Sequence, residues 1–234
     1  MRRTILLAAF AIILVQTSAQ AQPVTVYDTV TPAPSAGYSE PNANNPILGD
    51  ALTLSQGGQL QQLGFDLFNS TSGGNTGAIL TGTMNVKIYD NTNPYAGGSL
   101  AAADPLITNL NFNLDFSSGG GLAAGFFTTI TTGDLSGLSI MLPLNIFITQ
   151  QFTELTGTST RNGTVLSGAN SAVGSSPANV YINSGATAEG LYTFGGGNLN
   201  QFALSVAEVP EPGSLALCGV VACGFNAWRR RRAG

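Results

Sequence analysis

The sequence predicts an all-β fold: a two-sheet antiparallel β-sandwich, preceded by an N-terminal signal helix and followed by a C-terminal transmembrane helix. Three observations lead there. Clusters of Gly, Asn, Pro and Ser interrupt the chain about every ten residues, the spacing of a sandwich or barrel. The runs between them alternate apolar and polar side chains, the period of a strand with one buried face. No stretch between residues 22 and 208 sustains a 3.6-residue period, and Thr and β-branched residues abound there.

Taken in chain order, Val24, Val26 and Tyr27 open the first strand. In 59–68, Leu63, Phe65 and Leu67 share a face. Met84, Val86 and Ile88 do the same, with Asn85, Lys87 and Tyr89 opposite. The run Leu110-Asn111-Phe112-Asn113-Leu114-Asp115-Phe116 alternates without exception. Residues 145–152 are rich in strand formers, and Phe202, Leu204 and Val206 make the last strand, expected beside the first. The glycine-rich stretches 73–77, 119–125 and 195–197 read as loops, and no repeat of fixed period occurs.

Composition narrows the chemistry. Charged residues are 9% of the chain, with 30 glycines and 11 prolines. That is far below the roughly 25% charged residues of an ordinary soluble protein. From Pro23 to Val209 the only bases are Lys87 and Arg161, against eleven acids. Such a domain is repelled by phosphate backbones, so no nucleic-acid partner is expected. The chain has no His, and both cysteines, Cys218 and Cys223, fall near its end. This excludes a Ser-His-Asp set, a Cys/His pair and a disulfide framework from the middle of the chain. Neither a G-x-S-x-G elbow nor a P-loop occurs.

The two ends differ from the middle. Residues 1–21 combine Arg2 and Arg3, an apolar stretch from Ile5 to Val15, and Ala19-Gln20-Ala21. Small residues at Ala19 and Ala21 fit a signal peptidase, with cleavage before Gln22. Gly213 to Trp228 carries no charge, and Arg229, Arg230, Arg231 and Arg232 follow. A helix over that run is about 24 Å long, short of the roughly 30 Å hydrocarbon core. Trp228 suits an interface and the arginines a cytoplasmic stop, leaving the middle outside the membrane. Cys218 and Cys223 are apolar residues of the span. Before it, Pro210 and Pro212 hold Val209-Pro210-Glu211-Pro212 as a stiff, exposed step. Three regions result: a signal peptide at 1–21, an ectodomain at 22–207 and a C-terminal segment at 208–234.

Val209-Pro210-Glu211-Pro212, a short apolar segment and a terminal arginine cluster together resemble the PEP-CTERM sorting signal of Gram-negative bacteria. The resemblance implies recognition by exosortase, a transpeptidase-like membrane enzyme of bacteria that make extracellular polysaccharide. Val209, Pro210, Glu211 and Pro212 would be the processing motif and the tail a removable address. Further along, Gly37-Tyr38-Ser39, Asn44-Asn45-Pro46-Ile47-Leu48-Gly49-Asp50, Leu52-Thr53-Leu54 and Leu63-Gly64-Phe65 resemble ectodomains that accompany this signal. These are jelly-roll-like β-sandwiches, so the resemblance implies that fold and adds no catalytic residue.

Candidate chemistry within the ectodomain is sparse. Glu154 and Glu189 are the glutamates to test for glycoside hydrolysis, which depends on their separation. Asp50 with Asn44-Asn45, and Asp90 in Asp90-Asn91-Thr92-Asn93, offer hard oxygen donors for calcium in loops. The second set departs from the EF-hand pattern, and Asx residues are common turn formers. Tyr38, Tyr95 and Tyr181 lie near turns, where rings can stack on sugars. The expectation is a non-enzymatic, exported protein without cofactor. It would be sorted to the cell surface or extracellular matrix and act structurally or adhesively in an exopolysaccharide biofilm. The alternatives are a carbohydrate-binding module and a permanently anchored single-pass membrane protein.

Overall fold

A computed structural model describes residues 22–30, 34–90, 105–167, 172–177, 179–185, 189–193 and 201–210. They form two antiparallel sheets. The first contains β1 (Val24–Asp28), β2 (Pro34–Pro41), β4 (Gly58–Phe68), β7 (Phe127–Thr131), β8 (Met141–Leu142), β10 (Arg161–Ser167), β13 (Gln201–Phe202) and β14 (Leu204–Pro210). Its path is β1-β14-β4-β10-β13, with β2 on β10 and with β7 and β8 on β4. The second runs β12 (Gly190–Tyr192), β11 (Val180–Asn183), β3 (Ile47–Thr53), β9 (Asn145–Thr153), β5 (Thr81–Asp90) and β6 (Leu106–Asp115).

The sheets enclose a main apolar core and a smaller one formed by Leu48, Leu166, Val180, Ile182 and Phe202. Leu60, Leu63, Phe65, Leu67, Leu204 and Val206 from the first meet Leu52, Met84, Val86, Ile88, Ile146, Ile148 and Phe152 from the second. Each such side chain contributes about 1.5–3 kcal/mol when fully buried. The alternation expected at Met84, Val86 and Ile88 is therefore the core face of β5. The same alternation in β6 buries only Leu114 fully, because β6 is an edge strand. The first and last strands are neighbours, as β1 pairs with β14.

Two bulges set which side chains face the core. Ala207 pairs with Gln62 but Glu208 pairs with Leu60, so Gln61 is an extra residue in β4. That residue resets the phase of β4, so Leu60 and Leu63 both point inward. Val26 is the corresponding extra residue in β1, and Val26 and Tyr27 are both buried.

The registers also define the two ends of the sandwich. At one end Pro210, Gly58 and Leu142 form a row, with Val24 opposite Glu208. There the Leu54 N–H donates to Leu144 O at 2.7 Å, joining the β3–β4 and β8–β9 connections. Asp90 pairs with Ile146 at the same end of the second sheet. The other end carries Phe68 opposite Phe127 and Thr81 opposite Asp115. An amide cluster pins it: Asn69 Nδ2 donates to Gly77 O and Leu122 O, while Asn69 Oδ1 accepts from Asn75 Nδ2 and Ser159 Oγ.

Among the described residues no helix is long and apolar enough to cross a membrane. The expected signal helix and the expected transmembrane helix both lie outside them.

Candidate functional site

β14 leads directly into the segment whose resemblance to a sorting signal implies processing. It lies between β1 and β4 and stays in register with β4 through Val209–Gln59 and Pro210–Gly58. The sequence boundary between 207 and 208 therefore falls inside a strand. Val209, expected in an exposed step, is half-buried in the ladder. The physical reason is that the alternation Leu204, Val206, Glu208 carries the strand past residue 207.

Close packing makes the end of this ladder glycine-dependent. A Cβ on Gly58 would stand 2.5 Å from Val209 O and 3.3 Å from Glu208 Oε2. A Cβ on Gly57 would stand 2.9 Å from Leu142 O. The two glycines let β14 and the 142–144 chain close on either side of β4.

Glu208 is the unusual group here. It is fully buried, and neither carboxylate oxygen accepts a hydrogen bond from any described residue. Loss of water raises its pKa from 4.5 to about 8, so it is mainly protonated at neutral pH. Sequence reasoning missed it as part of the core, although its place in the Leu204-Val206-Glu208 alternation was the available signal.

Of the other expected sorting residues, Gln22 is exposed just before β1, with Val24 opposite Glu208. The two chain ends of the ectodomain thus meet at one place. Ala19, Ala21, Glu211, Pro212, Arg229, Arg230, Arg231, Arg232, Cys218 and Cys223 lie outside the described residues.

The calcium candidates occupy different settings. Asp50 is in the middle of β3 rather than in a loop, buried between the core residues Leu48 and Leu52. Its Oδ2 accepts from Phe202 N at 3.3 Å, and burial holds its carboxyl well above the usual carboxylate range. Asp50 and Gln150 line a cavity of about 10 Å³, and Asp50 Oδ1 and Gln150 Oε1 have no partner among the described residues. Asp90 ends β5, its N–H bonded to Pro105 O. Asn44 Nδ2 donates to Glu40 Oε2, which fastens the 42–44 turn to β2. Among the described residues no group of three His, Cys, Asp or Glu is placed to hold a metal.

The glutamates proposed for glycoside chemistry are held apart. Glu154 follows β9 and accepts from Thr83 Oγ1 on β5, whereas Glu189 accepts from the Tyr181 hydroxyl on β11. β3 and β9 lie between β11 and β5. At about 4.8 Å per strand, three steps alone are roughly 14 Å, beyond the roughly 5–10 Å of paired catalytic carboxylates.

Tyr38 and Tyr181 are not loop platforms. Tyr38 is half-buried on β2 and donates to Glu40 Oε1 at 2.6 Å. Tyr181 is buried on β11, edge-on to Phe147 with centroids 5.6 Å apart, and Tyr89 stands 6.3 Å from Phe147. These rings occupy the outer face of the second sheet. Beside them run Thr83, Asn85 and Lys87 of β5, paired with Asn113, Asn111 and Asn109 of β6. Asn85 Nδ2 donates to both Asn109 Oδ1 and Asn111 Oδ1. Tyr95 lies outside the described residues.

No protein-family model matches the sequence, and comparison with curated proteins finds no significant relative.

Proposed function

We propose that this chain is an exported surface or matrix protein whose β-sandwich is delivered by its C-terminal segment. The N-terminal signal carries it through the inner membrane of a Gram-negative-type bacterium, and signal peptidase releases it before Gln22. The apolar segment then holds it in the membrane until an exosortase-like enzyme acts at Pro210-Glu211-Pro212. Its work is structural or adhesive within an exopolysaccharide layer, without catalysis. The jelly-roll-like reading of its two antiparallel sheets belongs to the same proposal.

One observation supports this reading: β14 is in register with β4 up to Pro210, the first residue of the Pro-Glu-Pro motif. A processing enzyme would therefore meet the motif directly after a strand held inside the sheet. The acidic, nearly base-free ectodomain suits a hydrated polysaccharide environment. Mass spectrometry of the mature C-terminus in cells with an exosortase tests the reading. Loss of Arg229–Arg232, blocked by Glu211→Ala, is expected. An intact terminus in the mature protein would make the tail a permanent anchor and refute sorting.

A second reading, a carbohydrate-binding module, is favoured by the polar outer face of the second sheet. Asn85, Asn109, Asn111 and Lys87 present amide and ammonium groups at strand spacing beside Tyr89. Binding of a polysaccharide that survives tail removal and is lost in Asn85→Ala/Asn111→Ala supports it. Equal binding by the double variant refutes it.

A further inference from the structure

We propose that the end of the sandwich at which β14 terminates is a membrane-contact surface that rests on the bilayer through exposed apolar side chains. This rests on the proposed insertion of the C-terminal segment and adds where the folded domain sits. Eight large apolar side chains are exposed among the described residues, and five of them gather at this end: Val24, Leu106, Leu138, Met141 and Leu144. Val24 is opposite Glu208, and Met141 pairs with Gln59 beside the Val209 ladder position. Leu144 is tied to Leu54 at the turn into β4, and Leu138 closes the 136–138 turn that Gln59 Nε2 contacts through Ser136 O. Leu106 starts β6 at the same end of the second sheet.

Chain length leaves the domain little distance to stand off. From Pro210, in the ladder, to Gly213, the first residue of the uncharged run, is three residues, at most about 10 Å. The headgroup layer of one leaflet takes up roughly 5–8 Å of that. The end of β14 is therefore held at the lipid surface, and the side chains around it reach the interface. Exposed leucines and a methionine gain by leaving water there, whereas elsewhere on a hydrated domain they gain nothing. The described charges nearest this end are Asp90, Asp134 and the buried Glu208, with Lys87 three residues back along β5, so no basic cluster faces it. The partner is accordingly a zwitterionic phospholipid surface, bound by apolar contact and not by charge.

Tryptophan quenching in the full chain tests this, because Trp228 is the sole native tryptophan. The chain is reconstituted in phosphatidylcholine vesicles with brominated acyl chains. Native Trp228 reports insertion of the tail. Leu144→Trp and, separately, Met141→Trp in a Trp228→Phe background report this end, and Phe127→Trp reports the opposite one. Far-UV circular dichroism confirms that each variant is folded. The expected result is emission at 144 and 141 reduced about twofold or more, as for an interfacial residue, with 127 unchanged. Quenching of Trp228 without quenching at 144 and 141 overturns the contact surface and leaves the anchored tail standing. No quenching of Trp228 overturns the tail reading and this inference with it. Equal quenching at 144 and 127 overturns a preferred end. Protection of 144 from aqueous iodide without lipid quenching assigns the patch to a second copy and overturns the proposal.

Discussion

Replacing Glu208 with Gln should remove most of a pH-dependent instability built into β14. The native carboxyl is buried without a partner among the described residues and titrates at about 8 instead of 4.5. A carboxyl whose folded pKa is raised binds its proton more tightly when folded. Its contribution is most favourable below pH 4.5, is lost as pH rises from there towards 8, and is constant above. Each pH unit in that window costs about 1.4 kcal/mol, which by pH 7 is at most about 3 kcal/mol. Glu208 is two residues from the end of the ladder, so water entry on ionisation reduces this to ~2 kcal/mol. That is a large share of the 5–15 kcal/mol that stabilises a typical domain. Urea unfolding at pH 5, 6, 7 and 8, followed by circular dichroism, measures it. Wild type should lose ~2 kcal/mol more than Glu208→Gln between pH 5 and 8. Asp50 and Asp66, both raised by burial, titrate in both proteins and cancel in the difference. Glu208→Leu, which leaves no polar atom to satisfy, should give the same flattening. Parallel stability curves for wild type and both variants would refute the reasoning.

The remaining predictions concern packing. Asn69→Leu strands the Gly77 and Leu122 carbonyls and frees Asn75 and Ser159, and should cost ~3 kcal/mol in urea unfolding. Gly163→Ala drives a Cβ into Tyr38 O, with Ser39 Cα at 2.7 Å, and should displace β2. A loss of ~2–4 kcal/mol and new proteolysis within 34–41 are expected. Gly58→Ala, crowding Val209 O, should speed amide exchange at Val209 while leaving β5 and β9 protected, as hydrogen-exchange mass spectrometry can show.

Much of the fold was legible in local patterns, because one buried face imposes a period of two. Leu63, Phe65 and Leu67, and Met84, Val86 and Ile88, face the core as that period requires. Asp50 was misread because the turn residues Asn44-Asn45-Pro46 precede it closely. The alternation Leu48, Asp50, Leu52 already gave it a core position, and a charged residue type concealed it. Glu208 was hidden in the same way behind Leu204 and Val206. What no local pattern carries is the partner of each strand. That β10 pairs with β2 and β3 with β9 depends on chain segments roughly 90–130 residues apart. The Gln61 bulge, which keeps Leu60 in the core, became visible only through the register with β14.

In the proposed function, the attachment of the C-terminal segment to β14 also decides how firmly the domain would be held. A tether on an edge strand is opposed by one ladder, and peeling proceeds one residue at a time. β14 is bonded to β1 on one side and to β4 on the other. A pull on Pro210 meets the β4 ladder alone at Pro210 and Val209 and both ladders from Glu208 inward, and next exposes the core residues Val206 and Leu204. An enzyme acting on the C-terminal segment, as proposed, would therefore work beside a strand that two ladders hold from Glu208 inward. The protonated Glu208 permits this, since a neutral carboxyl can stay in the ladder's buried face where an ionised one would draw in water. Alkalinity and a pull on the tail then act on the same bonds. Ionising Glu208 would weaken the last pairs of the ladder, and tension would open it from the Pro210 end.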